Sequence, residues 1–161
     1  GTRYAAGQGG FLDHPSFETS SCLSKDRYMS VYNMRLGNIN YQTYGGTYAW
    51  VKAGFQVVRK LQKQKKINNI TIPLLVFEAG YDHMVDNHAI EKFVKKAKNA
   101  SLVRMQNSRH EIFNAGWQVR DSYYKQVFIF LKNVSEAQKR NNEENSYETK
   151  TDKAGKVLGT V

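Results

Sequence analysis

Hydrophobic positions along the chain fall into two kinds of repeat. Leu74, Leu75, Val76, Phe77 and Ala79 form one apolar run interrupted only by Glu78. A short continuous run of this kind predicts a strand covered on both faces, as in a parallel sheet. Gly80 ends the run, and Asp82 lies just past its carboxyl end. A second strand is predicted over residues 102–105, followed by the polar turn that carries His110. Between the two, Ile90, Phe93, Val94 and Ala97 recur at helical spacing. They predict a helix over residues 88–98, capped by Asp86 or Asn87. A last helix is predicted over residues 117–134, with Tyr124, Val127, Phe128 and Leu131 as its apolar face. Strand, helix, strand, helix with short connections is the α/β pattern.

Upstream the periodicity is helical. Val51, Gly54, Phe55 and Val58 fall at i, i+3, i+4 and i+7 and predict a helix from Tyr48 to about Lys63, with Thr47 as N-cap. Gly54 costs about 1 kcal/mol there unless a close neighbour needs the space. The opposite face is basic, and Lys60, Lys63, Lys65 and Lys66 carry that charge into a polar linker. Ser24 is placed to cap a shorter helix. Before it, Gly7, Gly9, Gly10 and Pro15 give a loop-like start. Gly7-Gln8-Gly9-Gly10 has neither the preceding strand nor the following Lys-Ser/Thr of a phosphate loop and reads as a flexible connection. Residues 136–156 are charged and polar with almost nothing to bury, so the end of the chain is expected to be disordered. The chain divides on this reading into residues 1–61, 62–134 and 135–161.

Composition adds three constraints. With 40% hydrophobic residues among 161, the chain is globular and long enough for one domain with a modest core. No apolar run approaches the roughly 20 residues of a membrane span, and the first ten residues lack the apolar core of a signal peptide. The first residue is not Met, so the chain is also readable as a piece of something longer. The net charge is +10. A solvated basic surface is the plain reading and an anionic lipid surface the more specific one. Nucleic acid ranks last, because no zinc-ligand spacing, helix-turn-helix pattern or aromatic RNA-binding motif accompanies the charge. Cys22, the single cysteine, excludes an intramolecular disulfide and suits a reducing compartment. The sequons at Asn69, Asn99 and Asn133 occur about as often as chance provides.

The candidate chemistry lies at the two strand ends. Open α/β sheets place their sites at the carboxyl edge. An acid after one strand and a histidine after the next are the second and third members of a Ser, Asp, His series in chain order. Asp82 would hold the imidazole of His110 in one tautomer, and His110 would take and return the proton of a nucleophile. Asp86 competes as the acid but fits a helix cap better. His83 and His88, with Asp82 and Asp86, raise the alternative of a metal site, although the spacing matches no established ligand motif. The density of Tyr41, Tyr44, Tyr48, Trp50 and Phe55 reads as core, or as the lining of a groove for an acyl chain. Gly-x-Ser-x-Gly and a His-Gly-Gly oxyanion loop occur nowhere in the chain. Either these residues are the C-terminal part of a hydrolase, or the protein is not a hydrolase.

Longer stretches add a resemblance. The run from Ile72 to Asn87, Ile-Pro-Leu-Leu-Val-Phe-Glu-Ala-Gly-Tyr-Asp-His-Met-Val-Asp-Asn, resembles the acid loop of the bacterial lysophospholipases of the Gram-negative inner membrane, α/β-hydrolases related to monoacylglycerol lipases. Ser108-Arg109-His110-Glu111-Ile112 is similar to their histidine loop, and Asp26-Arg27-Tyr28 and the stretch from Gly45 to Val51 resemble their cap. The resemblance covers roughly residues 3–134. It implies an α/β-hydrolase fold, with Asp82 and His110 as triad acid and base, residues up to about Leu61 in a helical cap, and the nucleophile and oxyanion hole in an N-terminal half outside these residues. It implies a lysophospholipid substrate, no cofactor, a place in the bacterial cytoplasm or peripherally on the cytoplasmic face of the inner membrane, and pairing with that N-terminal half or self-association. The tail after Val134 has no counterpart in the family pattern.

Overall fold

The computed structural model describes the backbone of residues 2–157, and the side chains of these residues other than Gln64 and those from 145 onward. The chain forms two compact units, Gly1–Tyr123 and Tyr124–Val161.

In the first unit the elements run α1 (Lys25–Gly37), α2 (Tyr48–Leu61), α3 (Gln64–Asn68), β1 (Leu74–Ala79), α4 (Asn87–Lys96) and β2 (Ala100–Met105). The predicted apolar run is β1, and β2 begins two residues before the predicted start. The strands pair in parallel, Leu74 opposite Ala100 and Ala79 opposite Met105. Parallel neighbours need a crossover. α4 supplies it and packs against both strands and α3. Its first turn is capped by Asp86, whose Oδ1 accepts the His88 N–H at 2.9 Å. Asn87, the other candidate cap, instead donates its side-chain amide to the Ala79 carbonyl at 2.8 Å, tying the helix start to the strand end. Thr47 caps α2 as expected, accepting the Trp50 N–H at 3.2 Å. Ser24 precedes α1 but makes no side-chain cap bond.

Glu78, the polar break in the apolar run, is buried in the sheet. It sits opposite Arg104 in the register and forms an ion pair with it, while Arg104 reaches on to Glu91 of α4. A buried carboxylate is tolerated when it is paired and hydrogen-bonded. The Glu78 bond, with a further contribution from Glu91, raises the affinity of the Arg104 guanidinium for its proton.

The core is small. Ala79, Met105 and Ile112 form its centre, with Phe77, Val103, Val119 and Tyr123 packed against them. The Phe77 and Tyr123 rings lie 4.6 Å apart, centroid to centroid, in a tilted pair. Several expectations fail, the first two because little is packed against the apolar faces. β1 is mostly half-buried rather than closed on both faces. On α2 the apolar stripe faces solvent, with Phe55 63% and Val58 47% exposed. The expected polar linker after α2 contains the short helix α3, because the buried Ile67 gives that segment one apolar anchor.

The glycine-rich start is held in place. Tyr4 bridges Thr47, Ala5 N–H bonds the Gly46 carbonyl at 3.0 Å, and Gly45 N–H bonds the Gly9 carbonyl at 2.8 Å. Gly7 turns the chain at φ +73°, a conformation that favours glycine.

The last helix, α5 (Trp117–Val157), starts in the first unit and makes up the described part of the second. It does not stop at Val134. No Gly or Pro occurs from Trp117 to Ala154, and Glu and Lys are frequent after Val134. Strong helix formers without a breaker allow the helix to continue even though it has little to bury. Tyr124, Phe128 and Leu131 of its apolar face are exposed rather than buried. The tail expected to be disordered is thus helical as far as Val157, and residues 158–161 lie outside the described residues.

Past the strand ends the two loops come close. A Cβ on Gly80 would stand 2.2 Å from the Gln106 carbonyl oxygen. Backbone cannot yield as a flexible side chain can. Gly80→Ala is therefore expected to lower unfolding free energy by about 1–3 kcal/mol, the usual cost of overpacking a tight site. Urea unfolding measures it, and a value within the surface-substitution range of about 0.5 kcal/mol would show that the loops part without cost.

Candidate active site

The site is built where the parallel ladder runs out. Gly80 N–H bonds the Met105 carbonyl at 3.0 Å, and Tyr81 N–H bonds the Ser108 carbonyl at 2.9 Å. These two bonds carry the strand pairing into the loops. Ser108 is fully buried and donates its hydroxyl to the Met105 carbonyl at 2.7 Å, which folds the second loop back on its own strand. Asp82 and His110, two residues further along each chain, then face one another.

His110 Nδ1 lies 2.9 Å from Asp82 Oδ2. The other carboxylate oxygen, Oδ1, accepts the N–H groups of Met84 at 2.9 Å and Val85 at 3.2 Å. Aspartate commonly bonds its own backbone two residues on in this way, and the turn fixes the carboxylate before the imidazole meets it. The Asp82 side chain is 4% exposed and that of His110 41%. Burial pushes the Asp82 carboxyl upward. The bond from His110 and the two N–H groups outweigh it and leave the group below the usual carboxylate range. Asp82 is therefore an anion at neutral pH, and an anion at Oδ2 requires Nδ1 to carry the proton. Nε2 is then the basic nitrogen of an imidazole whose side chain is partly open to solvent.

Asp86 takes no part in this pair, because its carboxylate is used by the α4 cap. Among the described residues, no group of three or more His, Cys, Asp or Glu gathers in a way that would hold a metal ion. Sequence periodicity gave no sign of a second layer around His110. Arg109 Nη1 reaches the carbonyls of Phe17, Glu18 and Ser20 at 3.4, 3.1 and 2.9 Å. Glu111 N–H bonds the Ser21 carbonyl at 2.9 Å. Cys22 donates its thiol to the Asn114 carbonyl at 3.0 Å, and Arg27 Nε bonds Asn114 Oδ1 at 3.2 Å. Burial pushes the Cys22 thiol up, so it stays protonated as a donor. Ser21 also donates its hydroxyl to Met84 Sδ of the acid loop at 3.0 Å. Only the adjacency of Arg109 to His110 hinted at any of this.

Paired parallel strands with a crossover helix, and an acid and a histidine meeting at their carboxyl edge, fit the pattern of an α/β-hydrolase. Residues 35–115, half of the chain, match the family described as serine aminopeptidase, S33, and the chain belongs to that family. The probable lysophospholipase L2 of Haemophilus influenzae is 30% identical over 133 residues, covering 81% of this chain and 41% of the relative. A soluble variant of the monoglyceride lipase of Saccharomyces cerevisiae, crystallised with a substrate analogue, superposes with a TM-score of 0.58. That superposition covers 76% of this chain and 43% of the lipase at 15% identity, which speaks for the fold. The chain thus spans about two fifths of the length of either relative.

The depressed Asp82 carboxyl makes stability depend on pH in a defined direction. A group that is more acidic when folded contributes stability above its unfolded pKa of about 3.9, and loses it as pH falls through the lower folded value. Asp82→Asn is expected to be less stable than the native chain at about pH 6, with the gap narrowing as pH falls below the unfolded value of about 3.9. Urea unfolding across that range measures it. A gap independent of pH would mean that the carboxylate gains nothing from its three donors.

Proposed function

We propose that this chain supplies the acid and base of a serine hydrolase that cleaves the acyl ester of lysophospholipids, and that the nucleophile comes from outside these 161 residues. The observation that carries the reading is the 2.9 Å bond between Asp82 and His110 at the ends of two paired parallel strands. Family membership and the likeness to a lysophospholipase support the reaction class. In this mechanism a serine hydroxyl attacks the ester carbonyl while Nε2 of His110 takes its proton. Asp82 remains ionised and stabilises the imidazolium that results. His110 then gives the proton to the departing glycerol oxygen, leaving the fatty acyl group on the serine. Water, deprotonated by His110, cleaves that ester and releases the fatty acid. The same machinery would serve a monoacylglycerol, another ester or a peptide. Choice among them would fall to residues 1–61 acting as a cap over the site.

A peripheral place on an anionic membrane surface, here the cytoplasmic face of a bacterial inner membrane, follows as part of the proposal. No described helix is long and apolar enough to cross a membrane. α2 instead exposes Trp50, Val57, Val58 and Leu61 on one side, while Lys52 and Arg59 fall on the other. That is the composition of a helix that lies in a lipid interface. The charge of +10 adds about 1 kcal/mol of attraction for each basic residue near the surface. The same two features would serve a non-catalytic basic lipid- or partner-binding module, which is the rival reading.

Ester hydrolysis by this chain alone, and with the segment encoded upstream of Gly1 supplied, separates the two. No turnover alone and turnover on combination, abolished by His110→Ala, is the expected result. Turnover by residues 1–161 alone that a serine-directed inhibitor blocks would show that the nucleophile is misplaced. Vesicle binding checks the surface. The protein is expected to bind acidic vesicles and to leave them as salt shortens the Debye length from about 10 Å at 0.1 M to about 3 Å at 1 M. Equal binding to neutral vesicles at high salt would remove the electrostatic part.

A further inference from the structure

The residues on both sides of the catalytic histidine candidate are tied to one distant segment. Arg109 takes the carbonyls of Phe17, Glu18 and Ser20, and Glu111 N–H takes that of Ser21. The partners lie about ninety positions upstream of Arg109 in the sequence. His110 between them has its main-chain carbonyl engaged by Ile112 N–H at 3.0 Å and its ring held by Asp82. The same upstream segment touches the acid loop through the Ser21 hydroxyl on Met84 Sδ. It is therefore a strap across both loops.

Chemistry explains why an arginine is used at this point. Carbonyls that converge on one spot repel one another as dipoles, and a cation at their focus removes that penalty. The guanidinium is planar, permanently charged and rich in donors, and charge-assisted bonds are shorter and stronger than neutral ones. Arg109 is only half-buried, so it escapes the full cost of desolvating a charge. All three contacts come from Nη1, whose two hydrogens are shared among the three carbonyls; a lysine would bring its charge on a compact ammonium without the rigid guanidinium plane that sets Nη1 in place.

We propose that Arg109 is a positioning residue. Its guanidinium joins residues 17–20 to the histidine loop, so that the strap and the loop move as one body and His110 is kept facing Asp82. This rests on the catalytic reading given above only where turnover is concerned, since the geometric effect is readable without it. The consequence is that a shift of the N-terminal segment would be felt at the imidazole.

The test uses the full-length polypeptide that contains this chain, with p-nitrophenyl butyrate as a soluble ester. Three readouts are taken: kcat and KM, the low-field proton resonance of His110 Nδ1, and amide exchange at Glu111. Arg109→Ala is expected to lower kcat by up to ~10²-fold, the scale of a misplacement of about 1 Å, with KM changed far less. The His110 resonance should weaken or shift, and the Glu111 amide should exchange faster. Arg109→Lys should fall between the two. It also decides the matter if the alanine variant does not fold, because it keeps the charge and loses the planar guanidinium that carries Nη1. Native kcat, resonance and exchange in either folded variant would overturn the proposal. His110→Ala, run in parallel, reports on the catalytic reading separately. If it retains activity that reading fails, while the resonance and exchange data still judge Arg109.

Discussion

The candidate site depends on the extension of a parallel ladder past the ends of its strands. β1 and β2 stop at Ala79 and Met105, yet two further backbone bonds join the loops beyond them. Those bonds need the chains to approach more closely than side chains allow, and Gly80 supplies the space. Once the loops are joined in this register, the second residue after Gly80 and the second after Ser108 have little choice of neighbour. The acid and the histidine meet because the backbone brings them together, and their mutual attraction then holds the side chains in line.

Around that contact, hydrogen bonding carries more of the organisation than apolar packing does. The compact core is a handful of residues, and large side chains on α2 and α5 lie open to solvent. By contrast, Asp82 accepts three donors, Ser108 is buried on its own strand, and Asn114 is shared by Cys22, Arg27 and Glu111. A network of hydrogen bonds fixes direction as well as distance, because each bond weakens steeply when bent. A site that must keep an imidazole aligned on a carboxylate benefits from that directionality.

The pair is electrostatically asymmetric. Asp82 is buried and supplied with donors, so it stays charged without reaching solvent. His110 is partly exposed and has its second nitrogen unassigned within the pair. A sheltered anion behind an accessible base is what proton transfer to and from a bound substrate requires. The ion pair of Glu78 with Arg104 sits one position before the strands end, joins the two strands side chain to side chain, and reaches α4 through Glu91.

Sequence alone determined those features that are local or periodic. The apolar run gave β1, the i, i+3, i+4 spacing gave α2 and α4, and Thr47 and Asp86 could be placed as caps because a cap bonds its own first turn. Asp82 and His110 were legible as a pair because each follows one of two consecutive strands, and the structure brings them to 2.9 Å. Three other matters were decided only in three dimensions. Burial of the α2 and α5 stripes depends on what is stacked against them, and periodicity shows that a face is apolar without showing that anything covers it. The end of α5 lies well past the predicted Val134, since a change from apolar to charged residues ends a buried face without breaking helical hydrogen bonds. The strap of residues 17–22 over the histidine loop left almost no trace in sequence. Its bonds are to main-chain carbonyls, which every residue type presents equally, and they join positions about ninety residues apart.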